Sequence, residues 1–429
     1  MAQLIKVLII GCGPHATHFY LPSLMRMSHK DANIQIAGIL DLEPQRAFIE
    51  EELRTKKFFG KTYFISPFSG DSLSQEAESL LNRLVQTGEV NAIIISTDPL
   101  NHKSYAKWAL SKRIPILMDK PVTTQINAAL QLSAASAIEA DYNELLQAYL
   151  KQPPPRPPFI LCAHRRYHPG IIEAKKLIRE IAQKTGCPVT HIHSYHADGQ
   201  WRLPIEICTQ AHHSYNQGHG KVSHSGFHFI DCVTEFWKEG FHSGKNADYV
   251  EVFSSFITPR GLLKQFPRES YLKLFGNKYS QTCPFSDTEL ESIFKQCGEI
   301  DAEINLTMFS DSEAFSSASI SLLHNSYSRR TWLTPGRDLY KGNGRVKHEE
   351  HSITIGPFLN IRIQSYQSKD KHNTCSEADT LPGGNNHFDI LVFRNSGMIG
   401  GSPFEKFTLN DLCYMQAIVY KLFFIVQII

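Results

Sequence analysis

The chain has 429 residues, 42% of them hydrophobic and 11% aromatic, too long for one ordinary domain and apolar enough to fill two cores. A formal charge of +2 leaves no basic excess that would point to nucleic acid or an anionic membrane. The nine cysteines are odd in number and none stand at C-x-x-C spacing, which argues against a disulfide framework or zinc knuckle and for a reducing, cytoplasmic setting.

At the N-terminus, Ile9-Ile10-Gly11-Cys12 imitates a lipoprotein cleavage box. The apolar run before it, Val7 to Ile10, is far shorter than the roughly 7–15 residues of an export signal, so it reads as a buried strand. Residues 4–10 form that strand, followed by a glycine turn and a helix from His15 towards Met27. Strands follow at 34–40, ending on Asp41, at 92–96 and at 114–118, with a helix at 105–110 between the last two. Strands without polar alternation, separated by helices, mean a parallel sheet covered on both faces, wound in the right-handed sense.

An alanine-rich helix is expected from Ile126 to about Leu150, closing a first domain of residues 1–150. Pro153-Pro154-Pro155-Arg156-Pro157-Pro158 cannot be helical and marks a linker over 151–158. Beyond it, strands at 159–164, 189–196, 249–257, 302–308, 316–323, 351–355, 359–366 and 388–393, with a helix at 170–183, describe an α+β domain, 159–429, with a largely antiparallel sheet. Residues 367–386 are polar and read as a loop. Residues 412–429 are strongly apolar but interrupted by Gln416, Lys421 and Gln427, short of the roughly 20 clean residues of a membrane span. They read as a helix packed on the body of the protein, and no membrane partner is expected.

Three constellations carry chemistry in the first domain. Gly11-Cys12-Gly13-Pro14-His15-Ala16 follows a strand and opens a helix. Gly11 permits the tight turn, Gly13 lets the backbone approach a pyrophosphate, and Ala16 permits close helix–strand packing. A diphosphate then meets the free N–H groups of the helix start. Asp41, at the end of the next strand, is placed to accept the adenosine ribose hydroxyls. Its charge favours NAD over NADP, and Arg46 nearby softens that preference. The second constellation is Ser96-Thr97-Asp98-Pro99-Leu100-Asn101-His102 and the third Met118-Asp119-Lys120-Pro121. Both sit at carboxyl ends of strands, where ligands gather in open α/β sheets. Ser96, Thr97, Pro99, His102 and Asp119 are therefore candidate cofactor residues. Lys120, beside a cationic nicotinamide, suits proton transfer to and from a hydroxyl.

In this order, the glycine motif, T-x-P-x-x-H and [ED]-K-P resemble the glucose–fructose oxidoreductase/inositol dehydrogenase (Gfo/Idh/MocA) family over roughly residues 4–135. The resemblance resumes at Arg165-Arg166-Tyr167-His168-Pro169 and at Ser225-Gly226-Phe227-His228-Phe229-Ile230-Asp231, similar to the family's G-x-H-x-x-D signature. It implies a Rossmann domain followed by an open, mostly antiparallel sheet, and a Lys-Pro bond that is commonly cis. It also implies that Lys120 and His228 flank the reacting carbon. Two positions depart from the family: Asp119 replaces the glutamate of E-K-P, and His224 stands where many sugar-oxidising members carry an aspartate. Four residues before His228, His224 would share its helical face, adding an imidazole to the site as a further acid/base candidate.

Eight histidines fall between His191 and His228, with Asp198-Gly199-Gln200-Trp201-Arg202 among them. A substrate pocket is the favoured reading, with Arg166, Tyr167, Trp201, Arg202, His224 and Asp231 contacting a sugar-like ligand; exposed loop histidines come next and a metal site last. The function expected is hydride transfer between NAD, with NADP possible, and a sugar, cyclitol or nucleotide-linked sugar. Two other readings stay open: an enzyme that keeps NAD bound and relays hydride within one turnover, and a non-catalytic dinucleotide sensor. If Val252 and Phe256 alternate outward, the second sheet offers an apolar face, and a homodimer or homotetramer is expected.

Overall fold

A computed structural model describes residues 4–197, 202–210, 214–324, 348–367, 386–394 and 404–410. The chain forms two compact units, the first containing Met1–Ile126 and Leu132–Ala163, the second Asn127–Gln131 and His164–Tyr414.

The first unit is built on six parallel strands in the order β3-β2-β1-β4-β5-β6: β1 (Ile5–Ile10), β2 (Ile34–Leu42), β3 (Thr62–Ile65), β4 (Ala92–Ile95), β5 (Ile116–Met118) and β6 (Phe159–Leu161). This is the doubly wound arrangement in which the strand order reverses beside β1. Helices α1 (Leu21–Lys30), α2 (Arg46–Thr55), α3 (Gln75–Gln86), α4 (His102–Ser111) and α5 (Leu132–Leu150) cover it. The central strands are apolar apart from Lys6 of β1 because both faces are buried. Val7 and Ile9 enter one core with Leu21 and Leu24, and Leu8 and Ile10 enter the other with Leu81 and Tyr105.

Two expectations change here. Residues 159–161 pair with β5 as the sixth strand of this sheet rather than opening the second domain. The proline-rich run therefore connects α5 to β6 within the first unit. The helix expected over 126–150 begins only at Leu132; Asn127 has φ +63, and its N–H reaches the Gln217 carbonyl at 2.8 Å, so residues 127–131 pack with the second unit.

Hydrogen bonds continue past the strand ends. Gly11 N donates to Leu40 O at 2.8 Å, Ser96 N to Ile10 O at 2.7 Å, Asp119 N to Ile95 O at 2.8 Å and Cys162 N to Met118 O at 2.7 Å. These four residues form one row at the carboxyl edge of the sheet, each fixed by the strand beside it.

The second unit holds eight strands in the order β14-β13-β12-β11-β7-β10-β9-β8. They are β7 (His191–Ala197), β8 (Tyr249–Ile257), β9 (Asp301–Ser310), β10 (Glu313–Leu323), β11 (His348–Ile355), β12 (Leu359–Gln367), β13 (Asn386–Arg394) and β14 (Phe404–Asn410). All neighbours are antiparallel except β7 and β10. Helices α6 (Pro169–Thr185) and α8 (Phe227–Gly240), with the short α7 (Pro204–Thr209) between them in sequence, belong to this unit. His168 caps α6 by accepting Gly170 N at 3.1 Å, and Gly186 ends it at φ +67, which glycine adopts freely. Ile178, Ile181, Phe229 and Phe236 of the two helices share a core with Ile192, Ile320, Ile353 and Ile361 of the sheet.

The edge strand β8 differs from expectation. Val250, Val252, Phe253 and Phe256 are 42%, 63%, 72% and 51% exposed, so residues on both faces of this strand are open, where one alternating face was expected. Residues 368–385 and 412–429 lie outside the described residues, and with them the expected loop and terminal helix. No described helix is long and apolar enough to cross a membrane. The seven described cysteines are all free thiols.

Candidate functional site

The glycine turn is held by its glycine and by an acid. Gly11 has φ +86, and a Cβ there would lie 2.5 Å from the Ser96 carbonyl oxygen, so the close crossing of the turn over the end of β4 requires glycine. Asp41 closes the turn from the other side. Its carboxylate accepts Cys12 N at 2.6 Å and Leu42 N at 2.7 Å. Burial nevertheless pushes the Asp41 carboxyl above the usual range, against those two N–H groups. Cys12 is fully buried, and its thiol is pushed up to about 12 by burial, with Asp41 and Glu52 adding to the shift.

Beyond Pro14 and His15 the chain enters a π-turn, Ala16–Tyr20, before α1, where a plain α-helix was expected. Such wide turns recur at functional sites. Ala16 is fully buried, as its expected packing role requires. The His15 ring lies 4.6 Å from Phe19 and 5.0 Å from Tyr20, and its Nε2 is 4.0 Å from Asp119 Oδ2.

His102 has no exposed surface. Its Nδ1 meets Pro121 O at 2.8 Å and its Nε2 meets Thr97 O at 3.1 Å, so it braces the Ser96–Thr97 loop against the Lys120–Pro121 segment from inside. Burial lowers its basicity. The Lys120–Pro121 bond is cis. Lys120 N donates to Asp119 Oδ1 at 2.8 Å. The protein packed around the Lys120 ammonium pushes it below the usual lysine range, while Asp119 and Cys162 pull the other way. Pro99 begins a short 3-10 turn capped by Asp98, which accepts Leu100 N at 3.0 Å. Arg46 lies on the surface over Phe64, 4.2 Å from the ring centre, and pairs with Glu43 and Glu50.

In the second unit, Arg166 and Asp231 meet as a charge pair, with Nε at 2.7 Å from Oδ2 and Nη2 at 2.5 Å from Oδ1. Asp231 is the first rung of a ladder on α8. Glu235 pairs with Lys175, and Glu239 accepts Arg179 Nε at 2.7 Å. Arg166 and Asp231 were expected to contact substrate; their mutual pairing joins α8 to the segment before α6. Tyr167 ends the 3-10 turn His164–Tyr167.

His224 and His228 are both buried, but Val222–Gly226 is a π-turn, so the spacing of four residues does not follow an α-helical face. His224 packs edge-on to Tyr215 at 5.0 Å, whereas His228 packs against His164 at 4.1 Å. Arg202 stands 5.6 Å over the Tyr215 ring and donates to Gln210 Oε1. Trp201, His212 and His213 lie outside the described residues.

The sequence reading missed two features. Cys162, at the end of β6, joins His15 and Asp119 in a group whose donor atoms all lie within 4.8 Å of one another. It escaped notice because its strand was assigned to the other domain. Glu349 on β11 is 2% exposed and accepts both Arg165 Nη groups, with His196 Nδ1 at 3.3 Å. Nothing local in Glu349-Glu350 distinguishes this buried acid from its surface neighbour.

The helix start beside a glycine-only turn, with an acid at the end of β2, fits the diphosphate and ribose of a dinucleotide. Residues 5–141 match the family described as oxidoreductase family, NAD-binding Rossmann fold (GFO_IDH_MocA). Over these residues the chain is similar to the Gfo/Idh/MocA NAD-binding domain. An inositol 2-dehydrogenase of Pseudarthrobacter chlorophenolicus is 25% identical over 135 residues, 32% of this chain and 34% of that protein. The alignment thus spans about a third of that curated relative's length.

Solved structures extend the likeness of fold beyond residues 5–141. An aldose–aldose oxidoreductase of Caulobacter crescentus, solved with glycerol, is 12% identical with a TM-score of 0.53, covering 98% of this chain and 88% of the other. A 3-ketoreductase of Actinomadura kijaniata, solved with NADP, is 11% identical with a TM-score of 0.53, covering 98% and 89%. At such identities the likeness is one of fold alone.

Proposed function

We propose that this protein is an NAD(P)-dependent oxidoreductase that moves hydride between the nicotinamide and a carbinol or carbonyl carbon of a sugar, cyclitol or nucleotide-linked sugar. The observation that carries this reading is Lys120. Its backbone follows Asp119 at the carboxyl edge of the sheet, and burial holds its ammonium below the ordinary lysine range. A lysine so poised gives up or takes a proton near neutral pH more readily than a surface lysine. Nicotinamide, when bound, supplies the hydride acceptor or donor. Lys120 then holds the substrate hydroxyl and receives its proton on oxidation or returns it on reduction.

In the second unit, His228 and His224 are the candidate proton-handling groups, and Tyr167, Trp201 and Arg202 are the candidate substrate contacts. The names of the inositol and aldose relatives support a polyhydroxylated substrate. NAD is favoured over NADP because Asp41 would repel a 2′-phosphate and Arg46 is engaged by Glu43 and Glu50. A reducing, cytoplasmic setting suits the free thiols, and the open apolar residues of β8 favour self-association.

The test is a screen of polyols, cyclitols and nucleotide-sugars for a change in nicotinamide absorbance. Lys120→Ala should lose turnover on any active substrate while still binding NAD. An active Lys120→Ala variant contradicts the mechanism. The alternative, a dinucleotide sensor without turnover, is favoured by one observation: His224 places an imidazole packed on Tyr215 at the position of the family's aspartate. It predicts tight NAD binding and no reaction across the same screen.

A further inference from the structure

We propose that His15, Asp119 and Cys162 form a binding site for a borderline-soft divalent metal ion, with Zn2+ as the fitting species, at the carboxyl edge of the first sheet. All three residues belong to the first unit, and the proposal does not depend on any catalytic activity.

The geometry comes first. One donor atom from each residue lies within 4.8 Å of the other two, and His15 Nε2 is 4.0 Å from Asp119 Oδ2. With zinc bonds of about 2.1 Å to nitrogen and oxygen and about 2.3 Å to sulfur, tetrahedral coordination sets the donors about 3.4–3.6 Å apart. The His15–Asp119 pair therefore closes by about half an ångström on binding, and the thiolate by up to about 1 Å.

The donors are also held in place. Asp119 N and Cys162 N are tied to Ile95 O and Met118 O on adjacent strands. Asp119 Oδ1 accepts Lys120 N, which leaves Oδ2 turned towards His15. The His15 ring is packed by Phe19 and Tyr20. Such second contacts orient the donors of metal centres. An ion has a way in, because the His15 and Asp119 side chains retain 22% and 16% exposure while Cys162 is fully buried.

The donor set selects the metal. One thiolate, one imidazole and one carboxylate suit Zn2+ or Co2+ and disfavour Mg2+, which demands oxygen ligands. Binding exchanges the thiol proton for a sulfur–metal bond, and the proton passes to buffer. Three protein donors leave a fourth position for water or a ligand atom. The Lys120 ammonium, close enough to act electrostatically on Asp119 and Cys162, opposes a second cation, so its removal should tighten the site.

The experiment is a Co2+ titration of the full-length, metal-free protein, read by thiolate-to-cobalt charge-transfer absorption, with Zn2+ displacement and Mg2+ as a control. One equivalent of Co2+ is expected to bind, Zn2+ to displace it and Mg2+ to leave it in place. Cys162→Ser should abolish the charge-transfer band, and the more exposed His15→Gln should weaken binding at least tenfold with the fold intact by circular dichroism. Lys120→Met should bind Co2+ more tightly. Absence of a thiolate band in the wild type, or its survival in Cys162→Ser, overturns the proposal. NAD binding is recorded separately: a protein that binds NAD but no Co2+ overturns this inference alone, and one that binds Co2+ but no NAD overturns the oxidoreductase reading alone.

Discussion

Asp41 accepts the Cys12 backbone N–H at 2.6 Å, so the acid at the end of the second strand holds the glycine turn at the end of the first. Replacing it with alanine removes two N–H···carboxylate bonds and the negative charge. Hydrogen bonds to charged groups contribute about 1.5–3 kcal/mol each. Asp41→Ala is expected to weaken NAD at least tenfold and to narrow any preference over NADP, measured by calorimetric titration with both. Unchanged NAD affinity would show that Asp41 serves neither turn nor ribose.

Gly11→Ala tests the turn itself. The added methyl would lie 2.5 Å from Ser96 O, at a φ of +86. The backbone strain alone costs about 1–3 kcal/mol, and the clash is with main chain that the sheet holds. Dinucleotide binding should fall below detection and urea stability should drop. A variant that binds NAD normally would contradict the observed crossing of the turn over β4.

Arg165 and Glu349 form a pair across 184 residues of sequence, with Glu349 only 2% exposed. Arg165→Met leaves that carboxylate buried without its main cation, a change that costs about 3–5 kcal/mol in comparable sites. Restoring neutrality with Arg165→Met/Glu349→Gln should recover much of the loss. Urea unfolding of both variants measures it, and equal stability of the single and double variants would deny the coupling.

His351 sets an acid limit. Burial pushes its imidazole down to about 3, helped by Arg165 and opposed by Glu349, with His196 and His168 also nearby and Ser194 Oγ at 3.0 Å. The unfolded chain takes up this proton near pH 6.5 and the folded protein only near pH 3. Stability therefore declines as pH falls through that window, by up to about 1.4 kcal/mol per pH unit from this group. His351→Asn should flatten the slope of unfolding free energy against pH by one proton. An unchanged slope would assign the proton to another group.

The first sheet was legible because its strands are apolar on both faces and its turns carry glycine and acid at fixed offsets. Strands β3 and β14 escaped: Thr62–Ile65 is short and Phe404–Asn410 mixes charge with aromatics. The proline run at 153–158 was a true break in helix but a false guide to strand assignment, since hydrogen bonds of β6 with β5, which no local pattern encodes, place residues 159–161 in the first sheet. In the candidate site, Gly11, Asp41, Asp119 and Lys120 could be read from motifs. Cys162 could not, because its meaning lies in the neighbouring strand rather than in its own sequence. The His224/His228 spacing misled for a related reason: a π-turn changes which residues share a face, and its presence is set by packing.

Deuterium transfer tests the central claim most directly. A polyol or cyclitol labelled at its carbinol carbon, chosen from the substrate screen, is incubated with protein and NAD, and the dinucleotide is examined by mass spectrometry and nuclear magnetic resonance. The account predicts one deuterium at nicotinamide C4 per ketone formed, and none with Lys120→Ala despite retained NAD binding. Cofactor binding without label transfer from any member of the screen, or full transfer by Lys120→Ala, would contradict it.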